Sequence, residues 1–183
     1  EDVTGAELIA EDEPAPVTDG ASGKCGDGLT WTLAGGTLTI SGTGAMEDYD
    51  AEKAPWFDYD DAIGSVVIKN GVTSIGTWAF GYCESLTSAT IGGSVTGIGD
   101  FAFNNCTALT SVTVPASVKS IGNGAFYGCS SLTSAVLRDG LESLGEQVFG
   151  GTGLTKITLP ASLTEIGEYA FDWCTSLTAI SVA

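Results

Sequence analysis

Ile98-Gly99-Asp100-Phe101-Ala102-Phe103-Asn104-Asn105-Cys106-Thr107-Ala108-Leu109-Thr110, followed by Ser111-Val112-Thr113-Val114-Pro115, is one copy of a unit that returns along most of the chain. In register the units start at Ile75, Ile98, Ile121, Leu144 and Ile166, in steps of 23, 23, 23 and 22 residues. The short step has a local cause. Five residues separate Phe126 from Leu132 but four separate Phe149 from Leu154, so the Gly150-Gly151-Thr152-Gly153 turn has lost one position. Glycine, with no Cβ, accepts the tighter path.

Within the unit, Ile98, Ala102, Phe103, Cys106 and Leu109 fall on one face of a 3.6-residue period, so a short helical turn is expected there. Val112 and Val114 then alternate with Ser111 and Thr113, the pattern of a strand with one buried face. Pro115 and Pro160 close their strands, and Val118 and Leu163 bring the chain back to the core. Such a unit cannot bury its apolar side alone. Neighbours must stack on it, with their strands forming a parallel sheet at a spacing of about 4.8 Å. A period within about 20 to 29 residues and one strand per unit is the leucine-rich-repeat class, whereas ankyrin and tetratricopeptide units of about 33 or 34 residues do not fit. The expected architecture is an α/β solenoid: a right-handed coil with one short parallel strand and one short helical turn per unit, curved with its strands on the concave side.

Ile121-Gly122, Ala125-Phe126, Cys129-Ser130-Ser131-Leu132-Thr133 and the Val112-Thr113-Val114-Pro115 strand resemble the BspA-like leucine-rich repeats of bacteria, over roughly residues 63 to 183. Upstream, Cys25-Gly26-Asp27-Gly28-Leu29-Thr30-Trp31-Thr32-Leu33 and Gly42-Thr43-Gly44-Ala45-Met46 resemble the leader that often precedes such repeats in secreted proteins of gut bacteria. The resemblance implies a secreted or cell-surface protein that binds protein or extracellular-matrix ligands.

Three segments are expected. Residues 1–24 carry seven acids and one lysine with few large apolar groups, the composition of a disordered acidic tail. Residues 25–62 hold two alternating segments, Leu29–Leu33 and Thr37–Ser41, around Ala34-Gly35-Gly36, the signature of a β-hairpin. A helical turn is expected at Ala54-Pro55-Trp56-Phe57, and the whole segment reads as an N-terminal cap on the first coil. Residues 63–183 are the solenoid. Its last strand, Ile180-Ser181-Val182-Ala183, leaves an open parallel edge, which predicts either further repeats or self-association through that edge.

The net charge of −17 is mostly N-terminal, since the solenoid carries eight acids against four bases. Such a chain repels nucleic acid and anionic lipid. No apolar run approaches the 18 or so residues of a membrane span, so no membrane insertion is expected. A secretory signal, if the gene encodes one, is expected to precede Glu1.

Histidine is absent, which removes the usual general base and the commonest zinc ligand, so no catalytic residue, cofactor or metal site is assigned. Cys83, Cys106, Cys129 and Cys174 share one unit position. A linear column cannot close a tetrahedral zinc site. Adjacent coils do bring Cα atoms to about 5 Å, so a disulfide between Cys83 and Cys106, or Cys106 and Cys129, stands beside the simpler reading of small groups packed behind Phe80, Phe103 and Phe126. Cys25 follows Lys24, unlike a lipid-anchor cysteine. The acids Glu47, Asp48, Asp50, Glu52, Asp58, Asp60 and Asp61 lack the spacing of a calcium loop and read as a solvated loop. Gly122-Asn123-Gly124-Ala125 lacks the partners of a dinucleotide motif.

A binding surface must rest on outward strand positions: Lys69, Thr90, Thr113, Val136, Arg138, Lys156 and Thr158. These columns hold no aromatic ring. Exposed rings are expected elsewhere, at Trp78, Tyr82, Tyr127, Tyr169 and Trp173. The alternatives are solvent-tolerant strand positions and, for the whole chain, a structural spacer that displays other domains.

Overall fold

The computed structural model describes residues 20–183. It opens with strands β1 (Ser22–Gly26), β2 (Leu29–Ala34) and β3 (Thr37–Gly42), then the two-residue β4 (Gly44–Ala45). Each coil thereafter supplies a first, long strand of four residues and a second, short one of two, except that the second is also four residues in the first coil: β5 (Ser65–Ile68) and β6 (Val72–Ile75), β7 (Ser88–Ile91) and β8 (Gly97–Ile98), β9 (Ser111–Val114) and β10 (Ser120–Ile121), β11 (Ser134–Leu137) and β12 (Ser143–Leu144), β13 (Lys156–Leu159) and β14 (Glu165–Ile166). Strand β15 (Ala179–Val182) ends the series.

The expected hairpin is present. Trp31 pairs with Ile40 and Leu33 with Leu38 across β2 and β3. It does more than cover the first coil, because β3 runs parallel to β5 and so begins the same sheet: β1-β2-β3-β5-β7-β9-β11. The tail expected over residues 1–24 lies outside the described residues as far as 19, and Ser22–Lys24 belong to β1 rather than to a tail.

Alternation within the long strands sends Val66, Ile68, Val112, Val114, Ile157 and Leu159 inward, where each is almost wholly buried. The short strands form a second parallel sheet, in the order β14-β12-β10-β8-β6-β4, that the repeat pattern did not announce. Between the sheets runs a spine of rings, Trp56, Phe80, Phe103, Phe126, Phe149 and Phe171, with successive centroids 5.0 to 5.8 Å apart.

The expected helical turn is not there. Residues 99–109 form successive tight turns, and the only helix among the described residues is the 3₁₀ segment Phe57–Ala62, entered through the turn expected at Ala54, where the Phe57 N–H donates to the Ala54 carbonyl at 2.9 Å. The reason lies in where the backbone N–H groups go. The N–H groups of Phe101, Phe103 and Asn105 donate to the carbonyls of Asn123, Ala125 and Tyr127 in the next coil at 2.8, 2.8 and 2.7 Å. Those between them, on Ala102, Asn104 and Cys106, donate three residues back. Alternate donors therefore stitch coil to coil, and no helical ladder can run.

This arrangement demands left-handed backbone at two fixed places per coil. The third and seventh residues after each unit start have positive φ: Trp78 and Tyr82, Phe101 and Asn105, Gly124 and Gly128, Gln147 and Gly151, Tyr169 and Trp173. Glycine is free of strain there; the other residues are not.

Candidate binding surface

The outward side of the long sheet is a field of small hydroxyl side chains. Its rows run straight across the strands because the register is unbroken from β3 to β7, so Thr37, Ser65 and Ser88 align, as do Thr39, Val67 and Thr90. Neighbouring hydroxyls bond to each other, Thr37 to Ser65 at 2.9 Å and Thr158 to Ser181 at 3.0 Å. None of the nine long strands contains Asp or Glu. Four of the chain's six basic residues lie on this side: Lys24 in β1, Lys69 just after β5, Arg138 just after β11 and Lys156 at the start of β13. Lys119 lies elsewhere and pairs with Glu142 at 3.0 Å, the one ion pair among the described residues.

Two joints depart from the rest: β7 and β9 keep a single paired position, Ser88 with Ser111, and β11 with β13 has none. Strands β11 and β13 are not hydrogen-bonded, and β13-β15 forms a separate two-stranded sheet. The threonine ladder outside the strands stops at the same place: Thr87 N–H donates to Gly64, Thr110 to Thr87 and Thr133 to Thr110, then the series resumes only with Thr178 to Thr155. Behind the gap the coils stay joined, with Phe126 N–H on Val148 at 2.9 Å and Phe126 stacked on Phe149 at 5.5 Å. The joint is open on one side only, and a cavity of about 330 Å³ lies there, lined by Thr133, Ser134, Val136, Leu137, Lys156 and Thr158.

The cysteine column also changes at this coil. Cys106 Sγ donates to the Phe80 carbonyl and Cys129 Sγ to Phe103, both at 3.1 Å, and Cys174 Sγ to Phe149 at 3.0 Å, each reaching back one coil. In the short unit Thr152 stands at this place, and its hydroxyl donates to Phe149 of its own coil at 2.9 Å. The link back to Phe126 is missing at the joint that opens. All five cysteines are free thiols. Burial pushes the Cys83 thiol up to about 12, with Asp60 adding to the effect, and the Cys25 thiol to about 11, with Glu47 adding. Cys106, Cys129 and Cys174 thus serve as structural donors.

Among the described residues no cluster of three or more His, Cys, Asp or Glu could hold a metal ion. In the acidic loop Asp48 Oδ1 instead accepts the Thr77 N–H at 2.7 Å, and burial raises the Asp60 carboxyl above its ordinary range.

The pattern of the BspA type leucine rich repeat region matches residues 53–178 in six copies. The chain belongs to this family. No curated protein matches the chain by sequence. Among solved structures, this BspA-type solenoid is similar to a leucine-rich repeat protein from Eubacterium ventriosum, at 30% identity and a TM-score of 0.75 over 90% of this chain and 45% of that one. It is also similar to a leucine rich cell surface protein from Faecalibacterium prausnitzii, at 28% identity and a TM-score of 0.56 over 88% and 54%. The pneumococcal vaccine antigen PcpA, at 18% identity and a TM-score of 0.62 over 90% and 50%, shares the fold. The chain thus spans about half the length of these proteins.

Within this BspA-type coil the ten sequence-derived positions do not form one surface. Lys69, Thr90, Thr113, Val136 and Arg138 lie exposed along the long sheet and Lys156 and Thr158 on the β13-β15 pair beyond it, and Val136, Lys156 and Thr158 meet at the open joint. Trp78, Tyr127 and Trp173 belong to the turn stack instead. Trp78 is half-buried, stacked on Phe101 at 4.6 Å and on Tyr82 at 5.7 Å. Tyr127 covers Gly150, where a Cβ would sit 2.7 Å from its ring. Trp173 alone of the three is strongly exposed, at 72%. The sequence reading missed Thr133 at the joint, although the short step at Gly150–Gly153 was the signal that this coil differs.

Proposed function

We propose that the chain is a non-enzymatic binding module of a secreted or surface-displayed bacterial protein, meeting a protein or matrix ligand through the outward side of its long sheet. One observation carries the proposal. In a chain of net charge −17 this side is free of acids in every strand and gathers four of the six bases. Acids are kept to the turns, the short sheet and the N-terminal loops, and so a broad neutral to basic face is left accessible to a partner. The similarity to a protein described as a leucine rich cell surface protein supports the extracellular setting. We take the coil to be right-handed, the sense of nearly all parallel crossovers.

Nucleic acid does not suit a chain of this net charge. Among the described residues no helix is long and apolar enough to cross a membrane. A spacer role is favoured by one feature, the mutual hydrogen bonding of the outward hydroxyls, which leaves them satisfied without a ligand. A second contact is offered by β15, where Ile180 and Val182 are 51% and 72% exposed and would be covered by a second copy; light scattering that finds only monomer removes it.

The deciding experiment presents the purified chain to a panel of host matrix proteins and glycans in a surface-binding assay. Saturable binding that Lys69→Glu or Lys156→Glu weakens supports the module. Silence across the panel at high micromolar concentration leaves the spacer.

A further inference from the structure

The open joint has the makings of an anchor point. Strands β11 and β13 still approach with Cα atoms inside 8 Å, too close to admit another strand between them at about 4.8 Å to each side. The backbone groups they would have exchanged are not paired with each other. At about 330 Å³ the cavity stands at the small end of ligand sites, of roughly 300 to 1,000 Å³, enough for one or two side chains of a larger partner.

Its chemistry is mixed in a specific way. Thr133, Ser134 and Thr158 supply hydroxyls, Val136 is a valine 44% exposed, and Lys156 is the single charge on the wall. Arg138 lies off the end of β11, and the acid next to it in sequence, Asp139, follows it into the turn. Neither cation has an ion-pair partner among the described residues. The only aromatic residue in the long strands is Trp31, which is buried, so no ring is available to stack a sugar or a base.

Building on the binding-module reading, we propose that this joint docks an extended acidic segment of a protein partner. The peptide lies along the mouth of the opening. Its main chain offers alternating donors and acceptors to the unpaired edges of β11 and β13, an apolar side chain meets Val136, and carboxylates meet Lys156 and Arg138. The open joint falls at the coil that has lost one residue at Gly150–Gly153 and where Thr152 does not make the thiol link.

Fluorescence anisotropy on the whole chain tests this, using a labelled ten-residue peptide of alternating Glu and Val. Alternating Ser-Val and Lys-Val peptides and polygalacturonate serve as comparisons. The Glu-Val peptide should bind best, and Lys156→Glu should weaken it by about tenfold or more, as expected for a reversed charge in a contact. Lys53→Glu, in the acidic N-terminal loop and off this face, should change it by less than about threefold, because exposed charges beyond roughly 10 Å are screened. A closed-joint variant, with Thr152→Cys and a serine inserted after it to match Cys129-Ser130-Ser131, keeps every charge and should also lose binding. The proposal falls if Glu-Val binds no better than Ser-Val, if Lys53→Glu and Lys156→Glu act equally, if the closed joint binds as before, or if polygalacturonate binds while the peptide does not. A panel ligand left untouched by Lys156→Glu and by the closed joint would sink this site and leave the module standing. A silent panel with the peptide behaving as stated would do the reverse.

Discussion

The indole N–H of Trp56 donates to the carbonyl of Ala79 at 2.8 Å, in the place where the fifth residue of a preceding coil would donate its backbone N–H. Its ring stacks on Phe80 at 5.4 Å, so one side chain stands in for both the backbone donor and the phenylalanine of a missing coil. Tyr49 N–H does the same for Thr77 at 3.0 Å. The solenoid is sealed at this end by imitation of its own repeat.

Trp56→Phe separates the two roles, keeping the ring and removing the donor. With the Ala79 carbonyl left buried and short of a partner, stability should fall by about 1 to 3 kcal/mol. Urea unfolding reads the change, and an unaltered midpoint would mean the indole bond carries nothing.

Phe126 is fully buried in the middle of the ring spine, between Phe103 and Phe149. Phe126→Ala should cost about 3 to 5 kcal/mol by leaving a cavity that rigid neighbouring coils cannot fill. The same unfolding measurement checks it; a loss under about 1 kcal/mol would mean the spine collapses freely.

Gln147 holds a φ of 51° with its side chain in solvent. Gln147→Gly should therefore stabilise, by up to about 1 kcal/mol, the reverse of the usual effect of glycine. Equal or lower thermal stability of the variant would show that the left-handed positions hold no strain.

The Cys83 thiol, raised from 9.0 to about 12, fixes a sign for alkaline stability. The folded state keeps this proton after the unfolded state has lost it, so stability is complete below pH 9 and declines as pH rises from there toward about 12. Cys83→Ala should flatten that decline in unfolding curves taken across the window. A thiol reagent at pH 8 should reach the half-buried Cys174 in the native protein while Cys25, Cys83 and Cys106 react only on unfolding.

Most of the core was legible because period two and the 23-residue repeat place Val112, Val114, Phe103 and Leu109 inside whichever local structure connects them. The turn was not legible for the same reason. The offsets of Ile98, Ala102, Phe103 and Cys106 fit a helix as well as a stack of tight turns, and what decides is whether N–H groups bond within the coil or to the next one, which only the neighbour reveals. A trace was available in Gly124, Gly128 and Gly151, which recur at the two places where positive φ is required. The candidate surface was readable from strand parity alone, down to Val136, Lys156 and Thr158. That the sheet is open at the coil carrying the short step was not, since neither the strand pairing nor the hydrogen bonds from Cys106, Cys129 and Cys174 are displayed by any sequence spacing.

Hydrogen exchange of the native chain, resolved to single amides, is the most direct test of the account. Amides of β13 facing β11 should exchange much faster than the equivalent amides of β11 facing β9, and inserting the missing residue with Thr152→Cys should slow them to match. Uniform protection across the β9, β11 and β13 strands would contradict the open joint and with it the site proposed there.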